Sequence, residues 1–217
     1  RAMRKRYLPR SLPLMRDQVI DRLKQRLSTL RMGDPLDKNT DIGAINSAAQ
    51  LERIRTLSDV GEEEGAERWT ADCVIPDTGF WFAPTIFTQV SPAHRIAREE
   101  IFGPVLSVIT FRTPAEAIAK ANNTPYGLSA GIWTEKGSRM LALADQLRAG
   151  VIWANTFNRF DPSSPFGGYK EAGYGREGGR HGLAAYLVST GWEASGSSSA
   201  SRPVTKDRKT TKKAVAK

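Results

Sequence analysis

Apolar positions along the chain fall into two rhythms that alternate. Val19, Ile20, Leu23, Leu27 and Leu30 recur at the spacing of one helical face, and Gly33 followed by Asp34-Pro35 predicts the stop. Residues 34–45 are polar and rich in turn formers. Ala48, Leu51, Ile54 and Leu57 predict a second helix, with Asn46 or Ser47 as N-cap and Glu62-Glu63-Glu64-Gly65 as its solvated end. Residues 80–90 are aromatic and β-branched but interrupted by Pro84, which predicts an extended segment near a sheet edge. Ser91-Pro92 predicts a short helix through Arg98, and the apolar run Val105 to Phe111 predicts a buried strand.

Beyond it, Thr113-Pro114-Ala115-Glu116 reads as a capping box with proline at the first helical position, starting a helix that reaches about Asn122. Residues 129–134 predict a strand. Residues 138–148 predict a helix closed by Gly150 at its C′ position, and residues 151–155 a further strand. Strands separated by helices indicate βαβ units and a parallel sheet, hence an α/β fold. Ordered structure is expected to end near Trp192.

Charge divides the chain in a way its total hides. Residues 1–16 carry six Arg/Lys and no acid, and residues 195–217 carry seven against one acid. Of the net +9, each end therefore holds +6 and the middle −3. The last segment adds a Ser/Gly run and no aromatic residue, so it is expected to be disordered; it acts either as a solubilising tail or as a weak, salt-sensitive hold on nucleic acid or another polyanion. Without interleaved aromatics or a recognisable module, nucleic acid is not the favoured partner. With 217 residues and 40% hydrophobic content the body suffices for one core, and no run approaches a membrane span. Residues 1–15 lack the apolar segment of a secretory signal; they are Arg-rich like a transit peptide, but Pro9 and Pro13 break a continuous helix. A single cysteine excludes an intrachain disulfide and fits a reducing, cytoplasmic setting.

The richest chemistry lies in Glu99-Glu100-Ile101-Phe102-Gly103-Pro104-Val105. A carboxylate accepts two hydrogen bonds from adjacent hydroxyls, which suits Glu100 to a ribose diol, and Phe102 suits a flat heteroaromatic ring. The plain alternative is an exposed acidic helix end with Phe102 in the core. Seven glycines lie between Pro165 and Gly182, and Gly173-Tyr174-Gly175-Arg176-Glu177-Gly178 formally matches a dinucleotide fingerprint. That fingerprint needs a strand directly before it, whereas another glycine loop precedes this one, so the glycines are read as permitting an irregular path past a partner or a substrate. Cys73 has no Lys or His beside it, and Asp72 would raise its pKa, so it reads as structural. His94 reads as a helix-surface residue and His181 as a loop or helix-start residue. No zinc, P-loop or Ser-His-Asp pattern is present.

Glu99 to Val105, then Ala121-Asn-Asn-Thr-Pro-Tyr-Gly-Leu128, then Ala149-Gly-Val-Ile-Trp-Ala-Asn155, then Ser164-Pro-Phe-Gly-Gly-Tyr-Lys170 with Gly173-Tyr-Gly-Arg-Glu177, resemble the C-terminal part of the aldehyde dehydrogenase superfamily over roughly residues 17–190. The resemblance implies an α/β catalytic domain with a parallel sheet and oxidation of an aldehyde to a carboxylic acid with NAD or NADP. It further implies that Glu100 binds the nicotinamide ribose, that Phe102 flanks the nicotinamide ring, and that Asn155 to Phe166 line the substrate tunnel, with Asn155, Phe160 and Phe166 as substrate-binding residues.

The family's nucleophilic cysteine, followed by a sheet strand, would fall where this chain reads Arg1 to Arg10, without a cysteine and with a strand-hostile Pro9. The general-base glutamate, the oxyanion-hole asparagine and most of the cofactor domain would lie upstream. The expected organisation is a basic segment over 1–16, a catalytic-domain fragment over 17–194 and a disordered basic tail over 195–217. Such a truncated or rearranged chain is expected to be inactive alone, to bind NAD or NADP weakly, and to expose an apolar patch that calls for a homo-oligomer or a full-length homologue. The alternative is a non-catalytic partner or scaffold binding that homologue or a polyanion.

Overall fold

Leu51, Ile54 and Leu57 lie one helical turn apart and form the inner face of helix α2 (Ala48–Glu63). Ser47 caps it, its hydroxyl accepting the Gln50 N–H at 3.2 Å. The computed structural model describes the backbone of residues 5–9 and 13–188 and side chains from residue 16 onward. The expected end of order near Trp192 and the basic tail lie outside the described residues.

The element order is β1 (Lys5–Pro9), α1 (Pro13–Ser28), α2, β2 (Glu67–Thr70), β3 (Thr85–Thr88), a 3₁₀ turn (Arg95–Ala97), β4 (Val105–Phe111), α3 (Pro114–Asn122), β5 (Tyr126–Gly127), β6 (Ser129–Ile132), α4 (Gly137–Ala144), β7 (Val151–Ala154), β8 (Tyr169–Lys170) and α5 (Gly179–Ala184). Four strands form one sheet in the order β1-β4-β3-β2. β1 and β3 both run parallel to β4, and β2 is antiparallel on β3. β6 and β7 pair in parallel across α4, a βαβ unit, while β5 and β8 form a small antiparallel ribbon. The α/β reading holds.

Three sequence expectations need correction. Pro9 does not prevent a strand: β1 pairs with β4 from Lys5 opposite Ser107 to Pro9 opposite Phe111. Proline, which lacks an N–H, is tolerated because it is the last residue of a strand whose other side has no partner among the described residues. The segment around Pro84 is not at an edge either. β3 starts just after Pro84 and lies between β4 and β2, so the proline removes no ladder donor. The edge on that side is β2, whose four residues, Glu-Arg-Trp-Thr, are too short and too charged to announce a strand. Lastly, α4 ends at Ala144, and Gly150 is no helix cap. Its N–H donates to the Gly127 carbonyl at 3.0 Å, starting β7, and a Cβ there would run into the Gly167 backbone.

The core forms where α2 packs over the sheet. Ile54, Leu57, Phe87 and Ile96 are almost fully buried, joined by Ile101, Val105 and Ile109. Complete burial of one such side chain stabilises by about 1.5–3 kcal/mol. Two glycines let the backbone close on this core. A Cβ on Gly61 would lie 2.8 Å from Ile96 Cδ1, and one on Gly103 would lie 2.7 Å from Ile54 Cδ1. The bend carrying Glu100 and Phe102 is thereby pressed against α2.

Candidate functional site

Glu99 and Glu100 are neighbours in sequence with opposite environments. Glu99 accepts hydrogen bonds from Arg95 Nε at 2.7 Å and Nη2 at 3.2 Å, with Arg53 Nη2 at 3.8 Å. The Arg95 hydrogen bond holds its carboxyl below the ordinary carboxylate range, against the opposing effect of burial. Glu100 points inward and is 7% exposed, and its Oε1 is buried without a hydrogen-bond partner. A buried acceptor left unpaired is costly, so such an atom asks for a donor from a ligand.

Phe102 faces the other way, with 68% of its surface exposed. Its φ of +54° is left-handed, a conformation bulky residues rarely adopt. The Gln50 side-chain amide on α2 donates to the carbonyls of Ile101 at 3.0 Å and Phe102 at 3.2 Å, holding the backbone there. The plain alternative, with the glutamate outside and the ring in the core, is reversed: Glu100 is inside and Phe102 outside. A ring displayed to solvent beside a buried, unsatisfied carboxylate fits a ligand that offers a flat face and hydroxyl donors together, as a nicotinamide riboside does.

The second group follows β7. Asn155 takes a left-handed turn, φ +52°, and its amide exchanges two hydrogen bonds with the Thr134 backbone, accepting from N at 2.9 Å and donating to O at 3.0 Å. That pair fixes where the loop leaves the strand and occupies the amide's polar ends. Phe160 and Phe166 meet edge to face with centroids 5.0 Å apart. Beneath them lies Trp153, 7% exposed, 5.6 Å from Phe160 and 6.5 Å from Phe166, with Phe157 at 4.7 Å. Sequence reasoning placed Trp153 in a strand and in the matched motif without a site role, and took in Phe157 only as part of the Asn155–Phe166 loop. The signal was there, in four aromatics spaced from 153 to 166. Among the described residues no hydrogen bond or ring contact joins this cluster to the Glu100–Phe102 bend.

Cys73 sits beyond β2, half-buried, with its Sγ 3.6 Å from Met32 Sδ. Burial first, and Asp72 second, push its thiol upward, the wrong direction for a nucleophile. His94 precedes the 3₁₀ turn and accepts the Ser91 N–H at Nδ1, and His181 lies in α5. Among the described residues no group of three or more His, Cys, Asp or Glu could hold a metal, and no helix is long and apolar enough to cross a membrane. The fingerprint-like Gly173–Gly178 follows the β8 ribbon rather than a parallel strand, so it is not a nucleotide loop.

The chain as a whole is similar to known proteins. The model of the aldehyde dehydrogenase family matches residues 5–190, and so includes β1. A putative aldehyde dehydrogenase, DhaS, of Bacillus subtilis is 44% identical over 170 residues, covering 78% of this chain and 34% of that protein. The betaine aldehyde dehydrogenase of Brucella anthropi is 41% identical over 179 residues, 79% of this chain and 36% of that protein. Among solved structures, an NAD-dependent aldehyde dehydrogenase from Sinorhizobium meliloti superposes with a TM-score of 0.78 at 39% identity, covering 84% of this chain and 36% of that one. The indole-3-acetaldehyde dehydrogenase of P. syringae in complex with NAD+ and IAA gives 0.78 at 39%, covering 84% and 37%. The chain thus spans about a third of the length of the relatives it matches. With the family pattern running from β1 to the residues just past α5, this chain belongs to the aldehyde dehydrogenase family.

Proposed function

We propose that this chain is a catalytic-domain portion of an NAD(P)-dependent enzyme that oxidises an aldehyde to a carboxylic acid. Glu100 would accept hydrogen bonds from the nicotinamide ribose hydroxyls, and Phe102 would lie against the ring. Phe160 and Phe166 would line the path of the aldehyde, with Asn155 framing the loop that carries them. When bound, the nicotinamide supplies the acceptor for the hydride released on aldehyde oxidation. The single observation that carries this reading is the unpartnered, buried Oε1 of Glu100 next to a solvent-facing Phe102.

The 217-residue chain would not turn over aldehyde alone. A thiolate must attack the carbonyl, and the chain's one cysteine, Cys73, is held as a thiol by burial and by Asp72. A lone cysteine suits the reducing cytoplasm. The exposed side chains of Tyr186, Leu187 and Val188 support a second reading, in which the chain associates with another copy or with a full-length homologue without catalysing.

Nuclear magnetic resonance of the labelled chain with millimolar NAD+ tests the first reading. It predicts perturbed amide signals over residues 99–104 and no NADH from added aldehyde. Perturbation elsewhere only, or turnover abolished by Cys73→Ser, overturns it. Co-elution with a full-length homologue, without any NAD+ response, would favour the second.

A further inference from the structure

Phe166 is tied through its backbone to the glycine-rich loop behind it. Phe166 and Glu177 exchange two backbone hydrogen bonds, each 2.7 Å, forming an isolated antiparallel bridge. The residue before Glu177 is Arg176. Its Nη1 donates to three carbonyls: Gly168 at 2.9 Å, Tyr174 at 3.0 Å and Gly175 at 2.9 Å. Its guanidinium also lies over the Tyr169 ring, 5.5 Å from the centroid. One side chain thus gathers both arms of the loop, residues 167–169 and 174–175. It needs the absence of a side chain at Gly167, because a Cβ there would lie 2.8 Å from Arg176 Cδ and Nη1.

We propose that Arg176 is a positioning residue: by closing the glycine loop it sets the Phe166–Glu177 bridge, and so the placement of the Phe166 ring against Phe160 and Trp153. The placement of the Phe166 ring is then governed by a guanidinium outside the Trp153–Phe160–Phe166 cluster. This deepens the functional reading above and rests on Phe166 lining the aldehyde path. Charge-assisted hydrogen bonds are about twice as strong as neutral ones, so a single Arg can outweigh the freedom that several glycines give the loop. Gly167 also lets the two arms meet directly, since a Cβ there would run into the Gly175 carbonyl oxygen.

The Trp153 indole signal of the full chain, identified among five tryptophans by its loss in Trp153→Phe, reports the ring currents of Phe166. The proposal expects Arg176→Met to move that signal in the direction of Phe166→Leu, and to move it no further when added to Phe166→Leu. An unmoved signal, or an equal shift in the Phe166→Leu background, overturns it, since Arg176 would then not act through Phe166. Should Arg176→Met fail to fold, Arg176→Lys, which keeps the charge but falls short of the three carbonyls, is read the same way. Failure of both to fold also overturns the proposal, because Arg176 would then support the whole domain. Benzaldehyde added to the unsubstituted chain separates the two readings: a Trp153 signal that ignores it contradicts the aldehyde path while leaving the Arg176–Phe166 coupling to be judged on the substitutions.

Discussion

Gln50 holds the carbonyl of Phe102 at 3.2 Å from 52 residues away in the chain, and the same amide group holds that of Ile101. A core helix therefore sets the backbone of the proposed cofactor wall. Gln50→Ala would release both carbonyls. The expected loss is about 1–2 kcal/mol of stability, one modest net contribution per bond. Chemical denaturation measures it, and amide exchange at residues 101–103 should accelerate while α2 stays protected.

Phe102 is strained where it stands. A left-handed backbone costs a residue with a Cβ roughly 1–2 kcal/mol, a cost asparagine largely escapes. The ring is mostly exposed, so little burial is lost on removing it. Phe102→Asn is expected to leave the chain as stable or up to about 1 kcal/mol more stable, while its response to NAD+ weakens. A gain in stability with a loss of binding is the pattern of a residue retained for a ligand.

Gly103 is needed for close approach rather than for a special turn. A methyl at this position would meet Ile54 Cδ1 at 2.7 Å in a filled core. Gly103→Ala should cost about 1–3 kcal/mol, the usual result of overpacking, and Ile54→Val in the same chain should recover part of it. Thermal melts of the single and double variants check this.

Acid should release Glu99 only below the pH at which an ordinary glutamate protonates. Its carboxyl lies below its ordinary value, mainly through the Arg95 hydrogen bond. A depressed folded value means the stabilisation is present above the unfolded value of about 4.3 and is lost as pH falls through the lower folded value. Arg95→Gln should therefore destabilise the chain at neutral pH, and the gap should start to narrow below about pH 4.3 and close only once pH has fallen through the lowered folded value. Melting temperatures across that window decide it.

Strong local signals were legible in the sequence. Val105 to Phe111 is apolar throughout, a single buried strand, and it is β4 to the residue. Thr113 caps α3 as its motif predicts, accepting the Glu116 N–H at 3.2 Å, although the Glu116 carboxylate reaches back to the Arg112 N–H instead of to Thr113. What could not be read depended on partners far away in the chain. β2 is held by pairing with β3, not by its own composition, and Pro9 is acceptable only at the end of β1. Gly150 looks like a helix cap until Gly167 is brought against it from 17 residues on. For the site, Glu100 and Phe102 were visible as residue types, but their opposite exposures follow from Gln50 and Gly103, and nothing local reveals the three carbonyls around Arg176.

The most direct test of the central claim asks whether Glu100 reads a diol. The chain and its Glu100→Gln variant would be titrated with nicotinamide mononucleotide and with the counterpart lacking both ribose hydroxyls, following the amide signals of residues 99–104. The account predicts that the chain prefers the ligand with hydroxyls and that Glu100→Gln removes most of that preference. Equal responses to the two ligands, or a preference untouched by Glu100→Gln, would contradict it.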